Sequence, residues 1–405
     1  MAARCGGCHV ADGNAFDLLD YDATARLGSE LIATVEAGVM PPWGATGTEA
    51  CTPRATWLDD LRLTDDELDL LRQWTDGGLS EGDPDEAAPL AVPDPPALDG
   101  VTDTLLGSTY SLTGDEEEYV CTVFDPALEG TTWLTGLALD TNHPGAVHHA
   151  LWFLERNGEA LANADAGEPY ACFGATGRFA VEILGGMLPG TPVVTYPDGS
   201  GLQLEPGDVI VQQVHYDAGE PLDVLTGVEL RTTTSRPALN AGIVEISESG
   251  NPDDLQEGPG DDAGPEFRIP AGTEGHTETY RWAVPSDYPE LDVRAVLGHM
   301  HLAGVALELG VERAAPEPEE PEEDCLLGIG AWDFDWQRLY WVDTDASPAL
   351  RVRGGDTLQL RCVYDNPGQT DIVAGTASTD EMCVGTLFVT YEGEPIPNSS
   401  FESDG

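Results

Sequence analysis

The sequence predicts a mainly β protein, with two β-sandwich domains preceded by a small α-helical domain, and three observations carry that expectation. Short runs rich in Val, Thr, Leu and aromatic residues recur after about residue 100, each of strand length. The 47 glycines and 30 prolines fall heavily between such runs, where turns require them. Ahead of residue 80 the pattern differs, with apolar residues at helical spacing and helix-capping signals. At 405 residues the chain can hold two or three domains, each able to bury its own core.

Composition narrows the function classes. The net charge is −57, from 74 acidic residues against 17 basic ones, and every basic residue is arginine. Such a surface repels nucleic acid and anionic membranes, so no nucleic-acid partner is expected. A solvated acidic surface, favoured by high salt or a need for solubility, explains the charge more simply than a dedicated acidic site. No run of about 18 apolar residues occurs, so no membrane span is expected. Eight cysteines point to an oxidising compartment, periplasmic or extracellular. No export leader precedes Cys5, and one is expected upstream of Met1.

Residues 1–82 form the first expected domain. Cys5-Gly6-Gly7-Cys8-His9 has the C-x-x-C-H pattern of covalent haem c attachment, where two thiols form thioethers and the histidine ligates iron. A redox pair, or a disulfide beside an incidental histidine, is the alternative. Met40, in Val39-Met40-Pro41-Pro42-Trp43, stands where a second, softer iron ligand is expected. Leu27, Leu31, Ile32 and Val35 predict a helix within residues 20–38. Leu63-Thr64-Asp65-Asp66-Glu67 opens another, with a cap and an acidic first turn, that closes near Gly77-Gly78. The whole resembles a small bacterial cytochrome c domain, and departs from it in lacking the helix that usually precedes the haem motif.

Residues 83–102 read as an acidic, Pro-rich linker. Domains are expected at 103–237 and 238–396, dividing around Pro237-Ala238-Leu239, with a tail at 397–405. Strands are expected at 131–139, 150–154, 193–196, 209–216, 224–231, 241–246, 280–284, 291–297, 306–309, 358–364 and 384–391. The Glu-Pro alternation of 314–324 reads as a disordered surface loop whose carboxylates lack the fixed framework of a calcium site.

The histidines carry the chemistry. His148 and His149 are adjacent, so on a regular strand they face opposite ways, and a shared ion would require a bulge or a strand entrance. With His215 they make a three-imidazole set suited to copper or zinc. His299 and His301 share one face of an extended segment and can chelate one ion, while Met300 between them points away. Met382 offers a thioether, which favours Cu(I) and has little affinity for zinc. His143 and His276 are expected at the surface or behind the ligands.

The order His148-His149, then His215-Tyr216, then His299-x-His301, then Asp380-Glu381-Met382-Cys383 is similar to the type II copper, ascorbate-dependent monooxygenases, the family of peptidylglycine α-hydroxylating monooxygenase and dopamine β-monooxygenase. The resemblance covers about residues 103–396 and implies two jelly-roll domains holding two copper ions. It implies an electron-storing copper at His148, His149 and His215, and an oxygen-activating, catalytic copper at His299, His301 and Met382. The implied partners are O2, a small organic substrate and a one-electron donor, which is ascorbate in animal members. It also implies a Cys362–Cys383 disulfide bracketing the methionine, with about 3 kcal/mol of stabilisation in the loop-entropy model. A second bridge is expected between Cys121 and Cys172, and Cys51 and Cys325 are left unassigned.

A tethered haem would raise the local concentration of a one-electron donor to roughly millimolar. The peptide-amidating branch grips a peptide carboxylate with residues that are replaced by Leu297, Val384 and Thr386, which implies another substrate. The other reading of the same motifs is a non-catalytic copper and haem electron-transfer or copper-binding protein.

Overall fold

Alternate burial shapes much of the chain. In Thr357–Asn366 the side chains of Leu358, Leu360, Cys362 and Tyr364 are wholly buried while Thr357, Gln359, Arg361 and Val363 are not, the period-two pattern of a strand with one face on a core. Val209–Tyr216 and Val384–Tyr391 are buried throughout, as central strands covered on both faces are. The computed structural model describes residues 2–9, 16–58, 60–83, 97–172, 176, 181–187, 193–247, 252–261, 263–375, 379–396 and 400–401. Most of the expected linker and most of the expected tail lie outside them. The protein is mainly β, with 41% strand and 11% helix, and divides into a helical unit, Met1–Trp43 with Asp59–Pro96, and a β unit, Gly44–Leu58 with Ala97–Gly405.

In the helical unit, what the spacing predicts as one helix is two, Tyr21–Leu27 and Ser29–Glu36, because Gly28 between them has φ +47°, a conformation glycine adopts without strain. Asp65–Asp76 follows, opened by a reciprocal cap between Thr64 and Glu67. Leu18, Leu31 and Leu71 form the buried cluster, with Cys5, Leu27, Ile32, Val35, Leu63 and Trp74 packed around it.

In the β unit, a ten-stranded sheet runs through Asp103–Leu106, Thr226–Thr233, Thr132–Thr141, Ser200–Leu204, Leu239–Ile246, Val384–Tyr391, Leu291–His299 and Tyr340–Trp341, with two further short strands beside it. Its first half packs on a six-stranded sheet that contains Glu118–Phe124, Val147–Glu155, Val181–Met187 and Val209–Tyr216. Its second half faces a four-stranded sheet of Thr273–Ala283, Thr357–Asn366, Gly304–Glu312 and Glu323–Ile329. Gly385 and Gly298 let the two layers approach. A Cβ on Gly298 would lie 2.8 Å from Leu307, and one on Gly385 would lie 3.0 Å from Leu360.

Leu239 and Asn240 pair in parallel with Ser200 and Gly201, so at 237–239 the chain passes from one half of the long sheet to the other. One core spans both halves, joining Leu134, Trp152 and Leu202 to Ile243, Ala295 and Phe388. The strands Glu118–Phe124, Val181–Met187 and Ser200–Leu204 were not expected from the sequence.

Residues 314–324 correct the expected disordered loop. Glu323–Ile329 pairs with Gly304–Glu312 in an antiparallel hairpin, and arginines order the turn between them. Arg353 bonds Glu320 at 2.7 Å and holds its carboxyl down at about 2. Asp324 is buried between Arg54 and Arg313. Three disulfides, Cys51–Cys325, Cys121–Cys172 and Cys362–Cys383, complete the unit.

Candidate metal centres

Strand pairing brings the first three histidines together. Along Val209–Tyr216 and Val147–Glu155, His215 lies opposite His149, but Tyr216 lies opposite Val147. His148 is therefore the extra residue of a β-bulge, which turns two consecutive side chains toward one side. The His148 and His149 Nδ1 atoms stand 3.1 Å apart, and the rings of the trio have centroids 4.9 to 5.3 Å apart. Their ligating nitrogens all lie within 4.8 Å of one another, close enough for one ion to draw on all three.

Burial lowers the proton affinity of two of these imidazoles. Burial first, then His215, His148 and His299, pull the His149 imidazole well below its ordinary range. Burial and His148 lower His215, while Glu117, 3.3 Å from its Nε2, pulls the other way. His215 Nδ1 is buried without a hydrogen-bond partner, while Nε2 faces Glu117. A buried imidazole nitrogen without a hydrogen bond is suited to a metal ligand. Tyr119 stacks on the His215 ring at 4.1 Å and 8°, fixing its plane.

The second cluster forms at the end of Leu291–His299, where His299 lies opposite Val384 of the neighbouring strand. The His299 and His301 rings are 5.0 Å apart, and Met300 is wholly buried between them. The tautomers follow from the partners. His301 Nδ1 donates to the Asp380 carbonyl at 3.1 Å, and a carbonyl can only accept. Gln337 Nε2 donates to the Phe334 carbonyl at 2.9 Å, so its Oε1 faces His299 and accepts from Nδ1 at 2.5 Å. Both imidazoles thus carry their proton on Nδ1 and their lone pair on Nε2. Burial first, then His301, takes the His299 imidazole down to about 4.

Glu381 ties Met382 to this pair. Its buried carboxylate accepts from the backbone N–H groups of His301 at 2.8 Å, Ala303 at 2.6 Å and Met382 at 3.2 Å. Burial raises this carboxyl to about 7, against those backbone donors, which lower it. Tyr364 donates to the Met382 carbonyl at 2.7 Å, and the Cys362–Cys383 bridge closes the same loop. Trp332 Nε1 donates to the His301 carbonyl at 3.1 Å.

Sequence reasoning missed Glu381, Gln337 and Trp332 as supports. Glu381 stands inside the motif that drew attention to Met382. Gln337 and Trp332 sit between strands and carry no periodic signal.

His276 is buried, not at the surface, and pairs with the buried Glu278 at 2.9 Å. His143 precedes the short turn Pro144–Ala146 and is half-buried.

In the helical unit, Cys5 and Cys8 are outside any disulfide, whereas the other six cysteines are bridged. The His9 backbone N–H donates to the Cys5 carbonyl at 2.9 Å, closing the motif as one turn. His9 Nδ1 donates to the Phe16 carbonyl at 3.0 Å, which leaves the lone pair on Nε2. Phe16 lies 4.8 Å from the His9 ring and is 58% exposed, and Val39, next to the half-buried Met40, is 59% exposed. Three buried leucines are a small core for such a unit, and a large apolar prosthetic group beside these side chains would enlarge it. The turn at Cys5, Cys8 and His9 carries the two thiols and the imidazole that a covalently held haem would use.

Residues 279–400 match the family model for the C-terminal domain of copper type II ascorbate-dependent monooxygenases. That stretch contains His299, His301 and Met382, and it supports copper-dependent monooxygenase chemistry at the level of the family. No curated protein matches the chain. Among solved structures, the infectious bursal disease virus VP2 subviral particle is similar at 12% identity over 74% of this chain and 75% of that one, with a TM-score of 0.21. The major capsid protein P2 of bacteriophage PM2 is 9% identical over 71% of this chain and 97% of its own, with a TM-score of 0.25. The CBM22-1-CBM22-2 tandem domain of Paenibacillus barcinonensis Xyn10C is 10% identical over 71% and 83%, with a TM-score of 0.21. At such scores these likenesses carry no argument about function.

Proposed function

We propose that this chain is a copper-dependent monooxygenase that hydroxylates a C–H bond of a small organic molecule, R–H + O2 + 2e⁻ + 2H⁺ giving R–OH and water. In this reading copper bound at two centres would store and deliver single electrons and activate O2, and a haem c on Cys5, Cys8, His9 and Met40 would supply the electrons. The observation that carries the proposal is the committed tautomer of His299 and His301, each with Nδ1 held by a protein acceptor, inside the stretch that matches the family.

The residues divide the work. His148, His149 and His215 would hold one ion with nitrogen alone, and the lowered proton affinity of His149 and His215 would spare the ion a competition with protons there. His299 and His301 present two Nε2 lone pairs to the other, and Met382 adds a soft sulfur that selects copper over zinc. Glu381 holds the His301 and Met382 backbones in register, so the two kinds of ligand do not move independently. Leu297 and Thr386 lie opposite each other on adjacent strands next to His299 and Val384. Neither carries a cation for a substrate carboxylate, which speaks against a peptidylglycine substrate.

Holoprotein matured in a periplasm is expected to contain two coppers and one haem per chain, and to couple O2 uptake to formation of hydroxylated product. Zinc in place of copper, or a single metal, would overturn the assignment. Copper binding with no O2 turnover against a broad substrate panel would favour the non-catalytic electron carrier. Rapid mixing tests the electron route: reduced haem must be reoxidised when O2 and substrate meet the copper-loaded protein.

A further inference from the structure

Residues 44–58 belong to the β unit, yet the chain enters them from Trp43 and leaves them toward Asp60, both of the helical unit. They are fastened to the four-stranded sheet by the Cys51–Cys325 disulfide, by Arg54 paired with Asp324 at 2.5 Å, and by Thr48 Oγ1 donating to Glu308 at 2.5 Å. Their seat is made by glycines. A Cβ on Gly328 would collide with the Cys51 carbonyl, and one on Gly330 would lie 2.9 Å from the Gly47 carbonyl. The Gly47 N–H donates to the Gly328 carbonyl at 2.8 Å.

The other end of the segment grips a second place. Gly44 N–H donates to the Tyr340 hydroxyl at 3.1 Å, and a Cβ on Gly44 would lie 2.7 Å from that oxygen. Trp57 bridges Val342 and packs its ring 5.7 Å from Tyr340, while Leu58 N–H donates to the Trp341 carbonyl at 2.8 Å.

These two grips lie on either side of one stretch, residues 331–339. That stretch supplies Trp332, which donates to the His301 carbonyl, Phe334, whose ring meets His301 at 6.2 Å, and Gln337, which accepts from His299 Nδ1. The loop is also held by the Trp332 N–H donating to the Val305 carbonyl at 2.8 Å and by the buried Leu339, but with free ends the Trp332 and Gln337 side chains would still exchange between conformers. Fixing both ends removes that freedom and lowers the entropy still to be lost when its side chains lock.

We propose that residues 44–58 are a clasp that holds both ends of the 331–339 loop and thereby sets the orientation of His299 and His301, acting through Gln337 and Trp332 as a positioning element. The proposal rests on the reading of His299 and His301 as ligands of one copper. It makes the His299 centre, but not the His148 centre, dependent on a segment that is continuous with the helical unit.

The test uses the full chain, with Gly328→Ala, Tyr340→Phe and the double variant Cys51→Ser/Cys325→Ser. Long-range ¹⁵N–¹H correlation of the imidazoles in metal-free protein at pH 8 reads each tautomer directly. The expected result is a single Nδ1–H tautomer for His299 in the parent protein and averaged signals in the variants, with His148, His149 and His215 unchanged as internal controls. Titration with copper(I) alone against a competing chelator should show the His299 centre weakened about 10-fold or more, the range seen when outer supports of a ligand are removed. Unchanged His299 and His301 signals in folded Gly328→Ala and Tyr340→Phe would overturn the clasp, whether or not the cysteine variant folds. If the parent protein takes no copper at His299 and His301 yet the signals move, the clasp stands and the monooxygenase reading falls.

Discussion

His299 shows how burial sets the protonation of an imidazole. Its imidazole sits at about 4 in the folded protein against 6.5 ordinarily, burial being the first cause and His301 the second. The unfolded chain therefore binds the proton more readily, so the stability this residue contributes is full above about pH 6.5 and is lost as pH falls toward 4. Glu381 runs the opposite way. Its carboxyl is raised to about 7, so its contribution declines as pH rises from its ordinary 4.5 through 7. Replacing one of them separates the two. Metal-free His299→Gln is expected to lose less stability than the parent between pH 6.5 and 4, as read from urea midpoints at half-unit intervals. Parallel curves would mean that His299 is not held neutral by the fold. His-x-His and Met-Cys were legible as residue types at a useful spacing. Gln337 was not, since a lone glutamine between strands is marked only by what it touches.

The element scale explains how adjacent histidines come to share a site. A regular strand would send His148 and His149 to opposite faces, and the bulge opposite His215 and Tyr216 removes that conflict. The requirement for an irregular backbone was readable from the His-His pair itself, but the pairing partner that creates the bulge was not. The methionine loop has a covalent brace. Cys362 and Cys383 are 21 residues apart, and closing a loop of that length is worth about 3 kcal/mol in the chain-entropy model. Cys362→Ala/Cys383→Ala is expected to lower unfolding free energy by about that amount, measured by urea denaturation. A loss within error of zero would remove the brace from the account. Strands with a clean alternation, such as Thr357–Asn366, were readable from apolar spacing. Glu118–Phe124 was not, because its last five residues are all buried and a short unbroken run has no period to read. The hairpin turn at 314–324 was misread for a related reason, since composition records the acidic residues but not Arg353 and Arg313, which neutralise them from other strands.

At the scale of the molecule, charge and topology dominate. Among the described residues the arginines are largely drawn into ion pairs, Arg313 being fully buried between Asp324, Glu320 and Asp356. The excess of −57 charges is left to repel itself. Raising salt from about 0.1 M to about 1 M shortens the screening length from roughly 10 Å to 3 Å. Thermal stability is therefore expected to rise over that range in sodium chloride, followed by circular dichroism, and a flat or falling melting temperature would contradict a surface limited by repulsion. Strand character, the helical caps, the haem-type motif and the identity of the histidines were all written in local order, because propensity, capping and period act between near neighbours. The joining of the two halves of the long sheet by a parallel pair at Leu239 and Ser200, the meeting of Cys51 with Cys325, and the seating of residues 44–58 beside Gly328 and Tyr340 were decided only by the tertiary structure. Each brings together residues far apart in the chain, 274 positions apart for that disulfide, and no local pattern specifies which distant partner a buried surface will choose.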